Sequence, residues 1–130
     1  MEDSIRIKLM VKPNTKVCLF HARKGILAQF MTGDLNLMMD WAESGCDSII
    51  YWLQQKDDLQ DIMEHLARQI KPTGRVWLVL SGASEDTVKN AQQNVIDSTF
   101  LKMGKVVDIG EGEIALQFVL RKDAKEDSTL

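Results

Sequence analysis

Cysteine, histidine and proline are scarce in this 130-residue chain, with two of each, and each scarcity removes a class of explanation. Two cysteines and two histidines without the short spacings of a zinc site leave no metal motif, and no metal is expected. Cys18 and Cys46 both fall inside apolar strand patterns, where cysteine serves as a small buried hydrophobe. A disulfide is unexpected in a reducing cytosol. Long hydrophobic runs are missing too: none approaches the ~20 residues that cross a bilayer. The opening Met-Glu-Asp-Ser has neither the basic nor the apolar region of a signal peptide, so the expected location is cytoplasmic, with no membrane partner. Basic charge is not in excess, since 16 Lys and Arg stand against 19 Asp and Glu. A formal charge of -3 offers nucleic acid no overall attraction, and nucleic acid is not an expected partner. Sequence order supports no Ser-His-Asp or Cys-His arrangement, so no catalytic residue is assigned.

What the chain does have is clear punctuation between apolar segments. Cys46 to Leu53 reads as a buried strand, and Asp57 to Ile70 places Leu59, Ile62, Met63, Leu66 and Ile70 on one helical face. Lys71-Pro72-Thr73-Gly74 ends that helix before a second strand, Arg75 to Leu80. Two strands joined by a helix of this length are parallel and right-handed. Lys16 to Phe20 is a further strand, followed by a loop, His21 to Lys24, and a helix from Gly25 to Met31. Glu85 to Ser98 is a helix capped by Ser84, with Val88, Ala91 and Val95 facing inward. Lys105 to Ile109 and Glu113 to Leu120 form an antiparallel hairpin around Gly110-Glu111-Gly112.

Two segments admit two readings. Ile5, Ile7 and Leu9 suit a strand or one or two helical turns. Leu35 to Asp40 is placed as a short strand, although Leu35, Met38, Met39 and Ala42 also suit a helix. Only Trp41 to Gly45 then separate it from the next strand, a reach of roughly 20 Å that excludes a crossover helix. The chain is read as one domain, 1–122, with a mobile polar tail at 123–130.

Three motifs carry a family resemblance. Lys12-Pro13-Asn14-Thr15-Lys16-Val17 resembles the "KPG-x-x-V" lead into the first strand of S-adenosylmethionine-dependent methyltransferases. Cys46-Asp47-Ser48-Ile49-Ile50 resembles their "F-D-x-I-x" fourth strand, and Ile70 to Val76 their "L-K-P-G-G-R-L" before the fifth. The compressed middle and the ending Ile114 to Lys122 are most similar to a family of small bacterial proteins of unknown function with a methyltransferase-like core. The resemblance implies an α/β fold: a three-layer, mostly parallel Rossmann-type sheet, reduced in the middle and closed by a C-terminal antiparallel hairpin. It also implies the first strand between the second and fourth, and the last strand beside the fifth.

The same resemblance marks the candidate site. Laid over Val17 to Gly25, the family's "V-L-D-x-G-x-G-x-G" has Leu19 at its acidic position, His21 and Arg23 at its first two glycines, and Gly25 at the third. Glycines there allow close approach of the cofactor, which side chains at His21 and Arg23 obstruct. The cofactor is a sulfonium cation, and Arg23 with Lys24 adds like charge. Asp40 takes the place of the acidic residue that ends the second strand and holds the ribose, and Trp52 ends the fourth strand. The candidate cofactor-binding residues are therefore His21, Arg23, Lys24, Gly25, Asp40 and Trp52, with S-adenosylmethionine as the possible cofactor.

The simplest account of the His21–Lys24 loop is a solvated basic turn, and of His65 a surface histidine. Trp41, Tyr51, Trp52 and Trp77, with Met31, Met38 and Met39, are most simply core or the cover of a sheet edge. If Trp41 and its neighbouring methionines lie on the surface, they form a patch suited to association. Three functions follow as expectations. The first is a non-catalytic methyltransferase-like domain acting through self-association, as a homo-oligomer, or through a protein partner. The second is a small methyltransferase with a remodelled pocket. The third is an anion or nucleotide-phosphate module on the His21–Gly25 loop.

Overall fold

The strands are Lys16–Phe20 (β1), Asn36–Met39 (β2), Cys46–Trp52 (β3), Ile70–Ser81 (β4), Leu101–Gly110 (β5) and Glu113–Leu120 (β6). The helices are Ile5–Lys8 (α1), Lys24–Phe30 (α2), Leu59–Ala67 (α3) and Glu85–Ser98 (α4). The computed structural model describes residues 5–121, apart from the side chain of Lys24. The expected tail at 123–130 lies outside the described residues.

The strands join into one six-stranded sheet in the order β2-β1-β3-β4-β6-β5. β1 pairs in parallel with β2 and β3, and β3 with β4, while β6 runs antiparallel to both β4 and β5. This is the order expected from the resemblance, with β6 inserted beside β4. The central strands are apolar on both faces because both are covered. Ile5, Leu9, Ile26 and Phe30 close one face over Val17, Leu19, Ile50 and Trp77. Met63, Leu66, Ala91 and Val95 close the other over Cys18, Ile49, Val76 and Leu78. The result is the expected three layers, with Cys18 and Cys46 free and fully buried in the α3 layer.

Local chemistry sets the helix starts. The Ser84 hydroxyl accepts from the Thr87 amide, and the Asp58 carboxylate accepts from the Asp61 amide, each satisfying an otherwise unpaired donor. The two open readings resolve as a single helical turn at Ile5–Lys8 and a strand at Asn36–Met39.

Two boundaries differ from expectation by more than one residue. The helix expected over Asp57 to Ile70 spans only Leu59–Ala67, and Ile70 opens β4 instead. Burial decides this: Ile70 is 6% exposed beside Cys46, whose amide donates to the Gln69 carbonyl. The lysine-proline turn then loops out of register, so that Ser48 pairs with Arg75. Gly74 is required there, because a Cβ would sit 2.8 Å from the Cys46 carbonyl oxygen. β5 starts at Leu101 rather than Lys105, since Leu101 is fully buried opposite Leu120. An irregularity at Gly104 accommodates the Gln117 side chain, which accepts from the Lys105 amide at 3.0 Å.

Candidate functional site

Open α/β sheets hold ligands beyond the carboxyl ends of their parallel strands, where the strand order reverses. Here that point lies between β1 and β3. β1 ends at Phe20, and His21 turns the chain with φ of 63°, a left-handed conformation uncommon for a residue with a side chain. The His21 amide donates to Asp40 Oδ1 at 2.9 Å, and the Asp40 amide donates to the Leu19 carbonyl at 2.7 Å. Asp40 thereby fastens the ends of β1 and β2 to each other.

Aromatic side chains cover the crevice. The His21 ring stands edge-on to Tyr51, centroids 5.3 Å apart, and Tyr51 lies tilted against Phe20 at the same spacing. The Tyr51 hydroxyl donates to Asp57 Oδ2 at 2.8 Å, and the same oxygen accepts from the Gln54 amide at 2.7 Å. Burial first, and the Asp57 carboxylate second, push the Tyr51 hydroxyl above its ordinary range, so it remains a neutral donor.

Arg23 turns away from the crevice. Its guanidinium contacts the Glu113 carboxylate and lies 3.4 Å from that of Glu111. The Glu113 side chain is 6% exposed, whereas that of Arg23 is 42% exposed. The loop after β1 is thus clasped to the turn between β5 and β6. Neither carboxylate was singled out as a site residue from sequence; both belong to the glycine-rich turn, and no local pattern links them to a residue some 90 positions away.

The cavity beside Asp40 is small. A cavity of 40 Å³ lined by Leu19, Ala22, Leu27, Met39 and Asp40 occupies the region between the ends of β1 and β2. A second cavity, 620 Å³, lies beside α4 between Leu53–Gln55 and Ser81–Ser84.

The structure therefore brings His21 and Asp40 together and directs Arg23 to the hairpin. Gly25 stands in open space: a Cβ there would meet nothing within 4 Å. Lys24 begins α2, its side chain outside the described part. Trp52 is 4% exposed in the layer beneath α2, where its indole Nε1 is buried without a partner among the described residues. Tyr51, Trp77 and Met38 are core, but Met31, Met39 and Trp41 are 62%, 45% and 55% exposed. Among the described residues no three metal-ligating side chains cluster, and no helix is long and apolar enough to cross a membrane.

No protein-family model and no curated protein sequence matches the chain. Solved structures do match in fold. The putative methyltransferase seen in complex with the Trm112 methyltransferase activator of Haloferax volcanii superposes with a TM-score of 0.64 at 11% identity, over 90% of this chain and 88% of that one. A putative methyltransferase from Thermoplasma acidophilum gives 0.64 at 10% identity, over 94% and 77%. A TehB-like S-adenosylmethionine-dependent methyltransferase from Corynebacterium glutamicum gives 0.52 at 10%, over 88% and 85%. At such identities the likeness speaks for architecture alone. The chain has the Rossmann-like fold of the S-adenosylmethionine-dependent methyltransferases.

Proposed function

We propose that the chain is a non-catalytic methyltransferase-like domain that acts through self-association or a protein partner. The observation that carries this reading is the 40 Å³ cavity beside Asp40, the residue that stands where the methyltransferases' ribose-holding acid would. Small-molecule sites are typically about 300 to 1,000 Å³. The His21–Tyr51 contact covers the crevice, and one oxygen of the Asp40 carboxylate already accepts from the His21 amide. The anion-binding reading loses its main cation, because Arg23 already meets two carboxylates.

Isothermal calorimetry against S-adenosylmethionine and S-adenosylhomocysteine tests this directly. No saturable heat at micromolar affinity is expected. Micromolar binding abolished by Asp40→Ala would establish the remodelled-pocket methyltransferase instead.

The association half rests on the sheet edge. β2 has β1 on one side and, among the described residues, no strand on the other. Met39 on that edge strand and Trp41 just beyond it are exposed, leaving both unpaired backbone and apolar surface to be covered. The Haloferax neighbour was solved in complex with an activator protein, which lends support to a protein partner. If the partner is a second copy, sedimentation velocity will show concentration-dependent association that Trp41→Lys weakens about tenfold, the effect of one apolar anchor. A wild-type chain that stays monomeric at all concentrations leaves only the heterologous partner.

A further inference from the structure

The two lysine-proline turns, Lys12-Pro13-Asn14-Thr15 and Lys71-Pro72-Thr73-Gly74, border one cavity at the amino ends of the strands, the opposite end of the sheet from His21. The cavity measures 120 Å³, and its walls include Lys12, Thr15, Asp47, Ser48, Thr73 and Arg75. Ser48 and Arg75 are register partners on adjacent strands, which sets hydroxyl and guanidinium side by side.

Three features of this cavity are unexplained by the fold. Ser48 is 4% exposed, and its hydroxyl opens on the cavity with no hydrogen-bond partner among the described residues. Neither the Lys12 ammonium nor the Arg75 guanidinium forms an ion pair with a described residue. The acid in the wall, Asp47, is already compensated: its Oδ1 lies 2.8 Å from Lys71 Nζ, and its Oδ2 accepts from the Lys16 amide at 2.8 Å. Burial pushes the Asp47 carboxyl up, but Lys71 and that amide more than offset this and keep it ionised. The Thr15 hydroxyl donates to the Lys12 carbonyl at 2.7 Å, and with Lys71 balancing Asp47, two positive charges and the hydroxyls of Ser48 and Thr73 face the cavity without an acceptor among the described residues.

We propose that this cavity binds a phosphate group, either as inorganic phosphate or as the phosphoryl end of a small phosphomonoester. Its volume is below that of a drug-sized ligand site, so it takes a compact tetrahedral oxyanion and leaves any organic remainder outside. Lys12 and Arg75 supply charge-assisted donors, with the guanidinium suited to two parallel bonds. The hydroxyls of Ser48 and Thr73 supply further donors. Each Asp47 oxygen keeps an unused lone pair, which can accept from the P–O–H of a protonated phosphate. Sulfate has no such proton and meets only the carboxylate's charge.

Phosphorus NMR line broadening and thermal melting, titrated with inorganic phosphate at constant ionic strength set by chloride, test this on the full chain. Phosphate is expected to broaden and to raise the melting temperature more than sulfate or chloride does. Lys12→Ala and Arg75→Ala should each weaken phosphate binding about tenfold, the cost of one charge-assisted bond. Ser48→Ala should weaken it several-fold, and Arg23→Ala, at the far end of the sheet, should leave it unchanged. If Arg75→Ala does not fold, Lys12→Ala on its exposed turn carries the same reading. Equal responses to phosphate, sulfate and chloride, or unchanged binding in Lys12→Ala and Ser48→Ala, would overturn the proposal. Glycerol 3-phosphate separates the sources: full competition assigns the phosphomonoester, and none assigns inorganic phosphate.

Discussion

Trp77→Ala is expected to lower stability by about 3–5 kcal/mol in urea unfolding, the largest effect of any single truncation in this chain. Trp77 is fully buried at the centre of the sheet, and its register partners, Ile50 on β3 and Gln117 on β6, are themselves at most 7% exposed. Removing the indole leaves a void that its strand neighbours cannot fill without breaking ladder hydrogen bonds. Its Nε1 also donates to the Leu9 carbonyl at 3.1 Å. Trp77 therefore ties the segment after α1 to the sheet. Trp77→Phe should retain most of the packing and lose that bond, at a cost of about 1–3 kcal/mol for the carbonyl left buried. Equal costs for Ala and Phe would mean that the hydrogen bond, not the packing, dominates; an Ala cost under about 1 kcal/mol would contradict the burial itself.

The same burial explains why the centre of the fold was legible. β1, β3 and β4 are covered on both faces, so their sequences are continuous apolar runs, and such runs mark parallel strands without reference to distant residues. α4 was legible at both ends because Ser84 caps it and Val88, Ala91 and Val95 repeat at helical spacing. β2 could not be settled alone. Leu35, Met38, Met39 and Ala42 repeat at helical spacing while the place after a helix calls for a strand, and what decides is pairing with β1, where Cys18 meets Met38 and Leu19 meets Met39. Ile70 misled for a related reason. It continues the apolar spacing of α3, but its side chain is needed beside Cys46, and the helix stops earlier.

The candidate site was legible only in what it had lost. Position in the motif pointed to His21 and Asp40, and they do meet. The crevice cover was not visible, because Tyr51 reads as one more apolar strand residue until its hydroxyl reaches Asp57. Arg23 read as a free cation suited to an anion, since charge on a loop is ordinarily solvated. Its true partners lie across the sheet on the last hairpin, where β6 is brought beside β4 by antiparallel pairing. A contact made by topology leaves no trace in local spacing. The loop after β1 is thereby fixed at one end by Asp40 and at the other by Glu113.

That clasp leads to the second large effect. Arg23→Ala is expected to destabilise the chain by about 1–3 kcal/mol, because it leaves the Glu113 carboxylate buried and unpaired. The figure sits below that of a fully buried pair, since water screens the half-exposed guanidinium. Glu113→Gln alone removes the buried charge and keeps an acceptor for Arg23, so it should cost less. Adding Glu113→Gln to Arg23→Ala should then recover much of the loss, as no uncompensated charge remains. A double-mutant cycle in urea measures this, with a coupling of about 1 kcal/mol or more expected. Additive single effects would mean that the two residues do not act as a pair. The cycle also bears on the cofactor question. If the clasp is what holds the crevice shut, the Arg23→Ala/Glu113→Gln chain is the form to titrate with S-adenosylhomocysteine, and binding confined to that form would show that closure, rather than missing contact residues, keeps the wild-type chain from that ligand.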